Sequence, residues 1–515
     1  MAGASLITTG GSAPRADENT VRVGPQPAQV RPRWAVLGVI ATAQLMVALD
    51  LTVMNIALPS AQRALHFTTA DRQWVVTAYT LAFGSLLLLG GRLADLVGRK
   101  TAFLVGLIGF AGVSAVGGAS VDFGMLVTAR AAQGAFAALL VPSALSILTT
   151  TFTAPADRGR AFGIYGAIAT AGGAVGLLIG GSLTQYLSWR WTLYVNLLFA
   201  GAALIGGLRL LERPTSRVAP KIDLPGLVLS AVGMFSLVYG FSNAAVHSWH
   251  TPATWAFLAA GVVSLLFFAV WIGRATHPLL PPRVVLSRNR SAAYLSMFVS
   301  AICLFATLLF LTYYMQRTLG YSPILTGLAF MPISVGLAGA ANLSTIVLMP
   351  KLGPRAVVTT GLLLAAGAMV WLAQLAAHTG YLAGVLGPII VVGIGLGMVV
   401  APSINTGTYG TEPQDAGVAS ATLTVGQSLG ASVGTSLLNT IFAGALGEYL
   451  AAHVHTASLR DPNSLNALAL AHGYDSAFWW TFGIVVAGAT IVGLLFRPGP
   501  LVQRSVTSMA KEQGR

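Results

Sequence analysis

A chain of 515 residues with 55% hydrophobic and only 9% charged residues is not an ordinary soluble protein, in which about a quarter of residues carry charge. A mean hydropathy of +0.75, with repeated apolar runs long enough to cross roughly 30 Å of hydrocarbon, defines an all-α polytopic membrane protein. The net charge of +14 does not mark a nucleic-acid partner, because the basic residues are spread over short loops.

Residues 1–33 are rich in Ala, Gly, Pro, Ser and Thr and lack an apolar core, which predicts a disordered cytoplasmic tail rather than a cleaved signal. Fourteen helical spans follow. Six lie within 34–211: Trp34–Leu58, Trp74–Leu93, Ala102–Ser120, Phe123–Thr149, Ala161–Tyr186 and Trp191–Leu211. A basic connector, 212–291, carries two more, Leu224–Ala244 and Ala253–Gly273. The last six lie within 292–497: Ala292–Met315, Ile324–Met349, Ala356–Ala376, Tyr381–Asn405, Gly417–Leu446 and Ser476–Phe496. An outer loop is expected over 447–475 and a second cytoplasmic tail over 498–515.

With both termini inside, the inner segments hold 23 of the 29 Lys and Arg, the outer segments hold 5, and Arg130 lies within a span. That bias obeys the positive-inside rule and supports the count of six, two and six.

Asp50, in the first span, is the one acid among fifteen that sits well inside an apolar run. A carboxylate there costs roughly 2.5–3.5 kcal/mol on insertion scales, so it needs a function or a partner. Arg130 enters the fourth span from the same outer side. Each lies about 12 Å deep at 1.5 Å per residue, which makes a charge pair or a shared hydrogen-bond network feasible. The pair reads either as a proton-handling site or as a static tie between two helices. Met46, Met54 and Ala57 share the helical face of Asp50 and serve as packing or as an adaptable binding stripe. Asn55 lies on another face.

Between spans 2 and 3 stands Gly91-Arg92-Leu93-Ala94-Asp95-Leu96-Val97-Gly98-Arg99-Lys100. Gly91 and Gly98 permit a tight turn and close helix approach, and Asp95 is able to accept from arginines or from a helix N-terminus. The matching place in the second six reads Leu352-Gly353-Pro354-Arg355, which keeps the Gly-x-Arg turn without the acid, the trace of a duplication.

Span 5 carries Gly172, Gly176 and Gly180, and span 13 carries Gly426, Gly430 and Gly434, two small-residue ladders suited to close packing. Trp189-Arg190-Trp191 reads as an interfacial anchor. In the second half Tyr313, Tyr314, Gln316, Asn342, Gln374, Asn405 and Gln427 are polar or amphipathic residues in or near spans. Tyr313, Tyr314, Asn342 and Asn405 join Met46 and Met54 as candidate cavity residues, with helix-to-helix hydrogen bonding as the plainer alternative. His453 and His455 lack a third ligand, and Cys303, the single cysteine, reads as a small core residue.

Together these motifs resemble the major facilitator superfamily. The segment Gly91–Lys100 looks like its cytoplasmic loop signature and Arg130-Ala131-Ala132-Gln133-Gly134 like its fourth-helix motif. The stretch around Asp50 looks like the first-helix motif of the fourteen-spanner drug:proton antiporters. The resemblance implies a major facilitator fold whose two six-helix halves rock about a midplane site, and export of hydrophobic small molecules in exchange for protons. It implies that Asp50 and Arg130 couple to protons, and that Gly91, Arg92, Asp95, Gly98, Arg99 and Lys100 form a latch in the outward-facing state. The exporter motif it matches in span 5 has Gly-Pro where this chain has Gly176-Leu177, so direction is not carried by that motif. A dedicated exporter of one metabolite or antibiotic, an inward symporter, and a non-transporting receptor or scaffold stand as alternatives. The chain shows no nucleotide-binding loop, metal cluster or nucleophile–base set, so no cofactor, no metal and no enzymatic activity are expected. The expected partners are the lipid bilayer, protons and a hydrophobic substrate, with the protein a monomer in the cell membrane.

Overall fold

In the computed structural model, the described residues are 3, 33–67, 72–211, 223–246, 249, 251–276, 278–376, 379–412, 415–453 and 462–499. Residues 1–2, 4–32 and 500–515 of the tails and His455 lie outside them, as do the side chains of Asn55 and Leu177. The ordered elements are helical because a backbone in hydrocarbon must satisfy its own hydrogen bonds. In chain order they are α1 (Arg33–Leu65), α2 (Arg72–Val97), α3 (Arg99–Gly118), α4 (Phe123–Thr151), α5 (Pro155–Tyr186) and α6 (Trp191–Leu210). Then come α7 (Leu224–Val246), α8 (Pro252–Ile272), the short α9 (Pro282–Val285) and α10 (Arg288–Tyr313). The chain continues through α11 (Pro323–Ala329), α12 (Met331–Leu343), α13 (Met349–Ala373), α14 (Leu386–Gly407), α15 (Ala416–His453) and α16 (Pro462–Leu495). Three π-helical turns, Tyr314–Thr318, Ser344–Leu348 and Tyr381–Val385, interrupt the later helices.

Twelve stretches among the described residues are long and apolar enough to cross a membrane. One of them, Leu325–Ala373, has 49 residues and would reach roughly 73 Å as one helix, more than twice the hydrocarbon thickness. It breaks at Gly353, where φ is 78°, a conformation glycine adopts without a Cβ clash. Gly98 makes the corresponding break between α2 and α3 at φ 91°. The spacing of these two glycines in their halves is the duplication signal seen in the sequence.

The packing repeats as well. In the first six helices α1 packs on α5 and α6, α2 on α4, and α3 on α4 and α6. In the last set α10 packs on α15 and α16, α12 on α14, and α13 on α14 and α16, the same five pairings in the same order. Both glycine ladders lie in equivalent seams. A Cβ on Gly180 would stand 2.9 Å from the Val53 Cα of α1, and one on Gly430 would stand 2.1 Å from the Phe298 carbonyl oxygen of α10. Neither seam admits a side chain without separating its helices.

The outer loop expected over 447–475 is mostly helical. α15 runs on to His453 and α16 starts at Pro462, since the Leu/Ala stretches of that segment continue the two helices beyond their most apolar parts. Helix α1 likewise runs past Leu58 to Leu65. The hairpin α7–α8 packs on α2 and α15 from outside. Buried Asp223 fastens its base by accepting from Gly226 N, Trp271 Nε1 and Leu279 N at 2.8–3.0 Å.

Candidate functional site: a buried charge network and a clasp at one helix end

Asp50 and Arg130 meet inside the first helix set, each 1% exposed, with Arg130 Nη1 2.5 Å from Asp50 Oδ2. The equal depth read from the sequence is matched by this contact. Three further side chains complete the network. Gln133, one turn after Arg130, accepts from Arg130 Nη1 at 2.8 Å and donates through Nε2 to Asp50 Oδ1 at 3.2 Å and to Ser114 Oγ at 2.7 Å. Asn196 of α6 donates through Nδ2 to Asp50 Oδ1 at 2.7 Å. On the other side, Arg130 Nε donates to the Val75 carbonyl at 3.2 Å, and the guanidinium lies 4.7 Å from the centroid of the Tyr79 ring. Five helices thus meet in one network: α4 and α6 reach the carboxylate of α1 directly, α2 through Arg130 and α3 through Gln133 and Asn196.

Each contact to Asp50 is a donor, the set of partners that suits a carboxylate beside a permanently charged guanidinium. Taking two ions out of water costs several kcal/mol apiece, and the neutral amides offset part of that by occupying the remaining lone pairs. Sequence reasoning reached Asp50 and Arg130 and quoted Gln133 within a motif, but assigned no role to Tyr79, Ser114 or Asn196. Asn196 carried a usable signal, a lone amide five residues into an apolar span.

The second cluster sits where α2 turns into α3. Asp95 accepts from the backbone N–H groups of Gly417 (3.1 Å) and Val418 (3.3 Å), at the first turn of α15 in the other helix set. The helix dipole favours an anion there. Gly91 and Gly417 let the backbones touch: a Cβ on Gly417 would stand 2.5 Å from the Gly91 carbonyl oxygen. Arg92 is buried. Lys100 turns the other way and donates to the carbonyls of Leu208 (3.0 Å) and Leu211 (2.6 Å), capping α6. At the same end of the molecule Arg158 donates to Thr408 and lies over Phe162, and Arg283 bridges Asp415 (2.9 Å) and Glu412 (3.1 Å). Burial pushes the Arg158 guanidinium down to about 10, so it stays charged at neutral pH. Arg190, at the opposite end, caps α3 by donating to Gly118 O (2.8 Å) and Ser120 O (2.6 Å), beyond the anchoring role read for its tryptophan neighbours.

The six candidate cavity residues do not converge. Met46 and Met54 are fully buried in apolar clusters, since their face of α1 packs against neighbouring helices, and neither presents its thioether to a cavity here. Tyr314 is also fully buried, with its hydroxyl shared between the carbonyls of Ala376 (2.9 Å) and Thr379 (2.7 Å), so it ties helices together. Tyr313 is partly buried beside Phe442 and beneath Arg317. Asn342 donates to the Ala338 carbonyl of its own helix (2.9 Å) and faces Gly163 across the seam between the two sets. Asn405 contacts the Met349 sulfur at 3.9 Å.

Fold, repeat and motifs define a class of membrane transporter, and residues 40–435 match the Major Facilitator Superfamily, to which this chain belongs. It is 44% identical to the puromycin resistance protein pur8 of Streptomyces alboniger, over 93% of both chains. It is 39% identical to the cephamycin export protein CmcT of Amycolatopsis lactamdurans, covering 78% of this chain and 83% of that one. It is 31% identical to the multidrug efflux pump LfrA of Mycolicibacterium smegmatis, covering 79% and 81%. Among solved structures, the human organic anion transporter MFSD10 shares the fold, with a TM-score of 0.61 at 16% identity, over 90% of this chain and 99% of that one.

Proposed function

We propose that this protein is a proton-coupled antiporter that exports hydrophobic small molecules, antibiotics among them, by alternating access. The observation that carries the reading is the Asp50–Arg130 ion pair, a titratable carboxylate buried at the meeting point of five helices. A static scaffold has no need of a charge so costly to bury. Protonation of Asp50 from the outer side would release Arg130 and weaken the convergence of the five helices. Loss of the proton to the inner side would restore it.

The 49-residue stretch divided at Gly353, together with α5, brings the membrane spans to fourteen in this reading, arranged as six, two and six. The bias of basic residues supports a cytoplasmic position for the end bearing Asp95 and for both termini. The domain limits are then 34–211, 212–291 and 292–497. Closure of that end through Asp95, Arg158 and Arg283 corresponds to the outward-facing state, with Gly91, Arg92, Asp95, Gly98 and Arg99 as its latch and Lys100, which caps α6, beside it. A narrower specificity, export of a single antibiotic, is favoured by relatives named for puromycin, cephamycin and tetracenomycin.

The test is substrate-driven proton movement in inverted vesicles, using puromycin and a panel of lipophilic dyes. Wild type should show uptake that collapses with a protonophore, and Asp50→Asn should reach only the protonophore level. Gradient-dependent uptake in Asp50→Asn at the wild-type rate would remove Asp50 from coupling. Movement of puromycin alone would select the narrow reading.

A further inference from the structure

Asn196 has a feature that its bond to Asp50 does not use. Its side chain is fully buried, Nδ2 is committed to the carboxylate at 2.7 Å and, more distantly, to Ser114 Oγ at 3.4 Å, and Oδ1 has no hydrogen-bond partner. A buried carbonyl without a donor has lost its hydration and gained nothing in return, which calls for a reason.

The reason lies in what a protonated Asp50 would require. As a carboxylate it accepts from Arg130, Gln133 and Asn196; as an acid it must also donate one O–H. Arg130 has no lone pair to offer. Gln133 is locked, since its Oε1 accepts from Arg130 and its Nε2 from the far side of the amide serves Asp50 and Ser114. Ser114 Oγ already receives Gln133 and Asn196, and donates to the Phe110 carbonyl at 2.6 Å. The Tyr79 hydroxyl is buried and also lacks a partner, so it makes no hydrogen bond to Asp50. Among the described residues, Asn196 alone is both bonded to Asp50 and in possession of a vacant acceptor.

We propose that Asn196 is a positioning residue for proton uptake, whose side-chain amide turns over when Asp50 is protonated, replacing the donor Nδ2 by the acceptor Oδ1 at the carboxyl group. The inference rests on the reading of Asp50 as the coupling acid. In the step, a proton carried by water from the outer side forms an O–H bond at Asp50 Oδ1. The corresponding O–H bond of the hydronium breaks and water leaves; the new carboxylic O–H then donates to Asn196 Oδ1. Because Oδ1 has no partner at the far end, turning the amide breaks no hydrogen bond there. The turn gives up the Nδ2 bonds to Asp50 (2.7 Å) and to Ser114 Oγ (3.4 Å); a protonated Asp50 no longer favours the shorter one, which makes the amide a two-position element that follows the proton. The other groups facing Asp50 do not compete: α4 contributes Arg130 and Gln133, α2 contributes Tyr79, and α3 contributes Ser114. From α5, Tyr165 donates to Gln44 of α1 at 2.6 Å, nearly two turns away. Arg130 is the one cation among these groups, and Tyr79 and Tyr165 are the titratable hydroxyls.

Infrared difference spectra between high and low pH, recorded on the full-length protein in lipid nanodiscs, test this. Wild type carrying asparagine labelled with ¹³C at the side-chain carbonyl should show a carboxylic C=O band that vanishes in Asp50→Asn, and an isotope-shifted asparagine amide band that vanishes with it. In Asn196→Leu, a variant of similar size without polar atoms, the asparagine band should be lost. The carboxylic band should then move up to the position of an acid without a hydrogen-bond acceptor. Tyr79→Phe should retain both bands. A wild-type carboxylic band from Asp50 without any asparagine change would overturn the inference while leaving Asp50 as the coupling acid, and this arm does not depend on the folding of Asn196→Leu. Transfer of the effect to Tyr79→Phe would overturn it in favour of the phenol. Absence of any Asp50 band across the transport pH range would instead remove the coupling reading beneath it.

Discussion

The two six-helix sets share one packing plan and bury different chemistry. The first gathers Asp50, Arg130, Gln133, Asn196 and Ser114 into a connected polar centre. In the second, the equivalent helices close around aromatic rings: Phe310, Phe442, Tyr474 and Phe478 pack tilted or edge-to-face with centroids 5.2–6.0 Å apart. Along α10, Ser296, Thr307 and Thr312 each donate to a carbonyl one turn back in the same helix. A duplicated fold therefore supports either interior, and the position of charge is a property of side chains rather than of architecture. Among the described residues, the first half buries a charged pair within a polar network and the second an aromatic cluster.

The largest effect should come from unpairing the charge. Arg130→Ala leaves a carboxylate buried without its cation, at a cost of about 3–5 kcal/mol, and should lower the melting temperature in detergent and abolish coupled efflux. Adding Asp50→Asn to that variant should restore most of the thermal stability and none of the coupling. If the double variant melts as low as Arg130→Ala, the ion pair is not what Arg130 stabilises. In the second half, Phe310→Ala should cost a similar 3–5 kcal/mol by opening a cavity, with no second-site acid able to rescue it.

Placing an acid in the second half inverts the comparison. Thr307→Asp sets a carboxylate in the middle of α10 with no described cation beside it, at roughly 2.5–3.5 kcal/mol. Expression and melting temperature should fall, and the loss should shrink at low pH as the group is neutralised. A variant that melts like wild type at neutral pH would mean that the second half has water or partners enough for a charge, and the contrast between the halves would fail.

Next in size is the seam between them. Gly417→Ala forces a Cβ to within 2.5 Å of the Gly91 carbonyl oxygen, an overpacking cost of about 1–3 kcal/mol that applies only while α2 and α15 touch. Asp95→Asn keeps the shape and removes the charge at the α15 N-terminus, worth about 0.3–1 kcal/mol. Cysteine accessibility at the Asp95 end should rise in both, more in Gly417→Ala, with membrane insertion unchanged. Equal accessibility in all three proteins would sink the clasp.

Much of this was legible in the sequence for physical reasons. Span length and the bias of Lys and Arg arise from the bilayer itself, so they are written in composition. The Gly98 and Gly353 breaks were visible because only glycine adopts their φ without strain. Asp50 and Arg130 stood out because charge in an apolar run is rare. The rest of the network did not, since Ser114 and Asn196 are ordinary in composition and acquire meaning only when five helices meet. The cavity residues were the least legible. A helical wheel shows that Met46 and Met54 share a face with Asp50 but not whether that face meets a neighbour or a solvent space, and the hydroxyl of Tyr314 finds its carbonyls some 60 residues away.

The smallest expected difference lies at the ends of α6 and α16, which hold equivalent places in the two sets. Both leave C-terminal carbonyls to be satisfied, and both are capped by a cation, but from different places in the chain. Lys100, at the start of α3, serves Leu208 and Leu211, whereas Arg288, at the start of α10, serves Leu494 and Leu495 at 2.7 and 3.2 Å. Lysine offers a single rotatable ammonium and arginine a planar fork, so Lys100→Arg should misplace its donors while Arg288→Lys should lose one of two bonds. Each change should cost about 0.3–1 kcal/mol, and Lys100→Met and Arg288→Met somewhat more, read as small downward shifts in melting temperature. Neither should alter proton-coupled efflux in its own right. A loss of efflux in Lys100→Met at unchanged stability would move Lys100 from capping α6 into the latch with Asp95, and would separate the two halves by function as well as by interior.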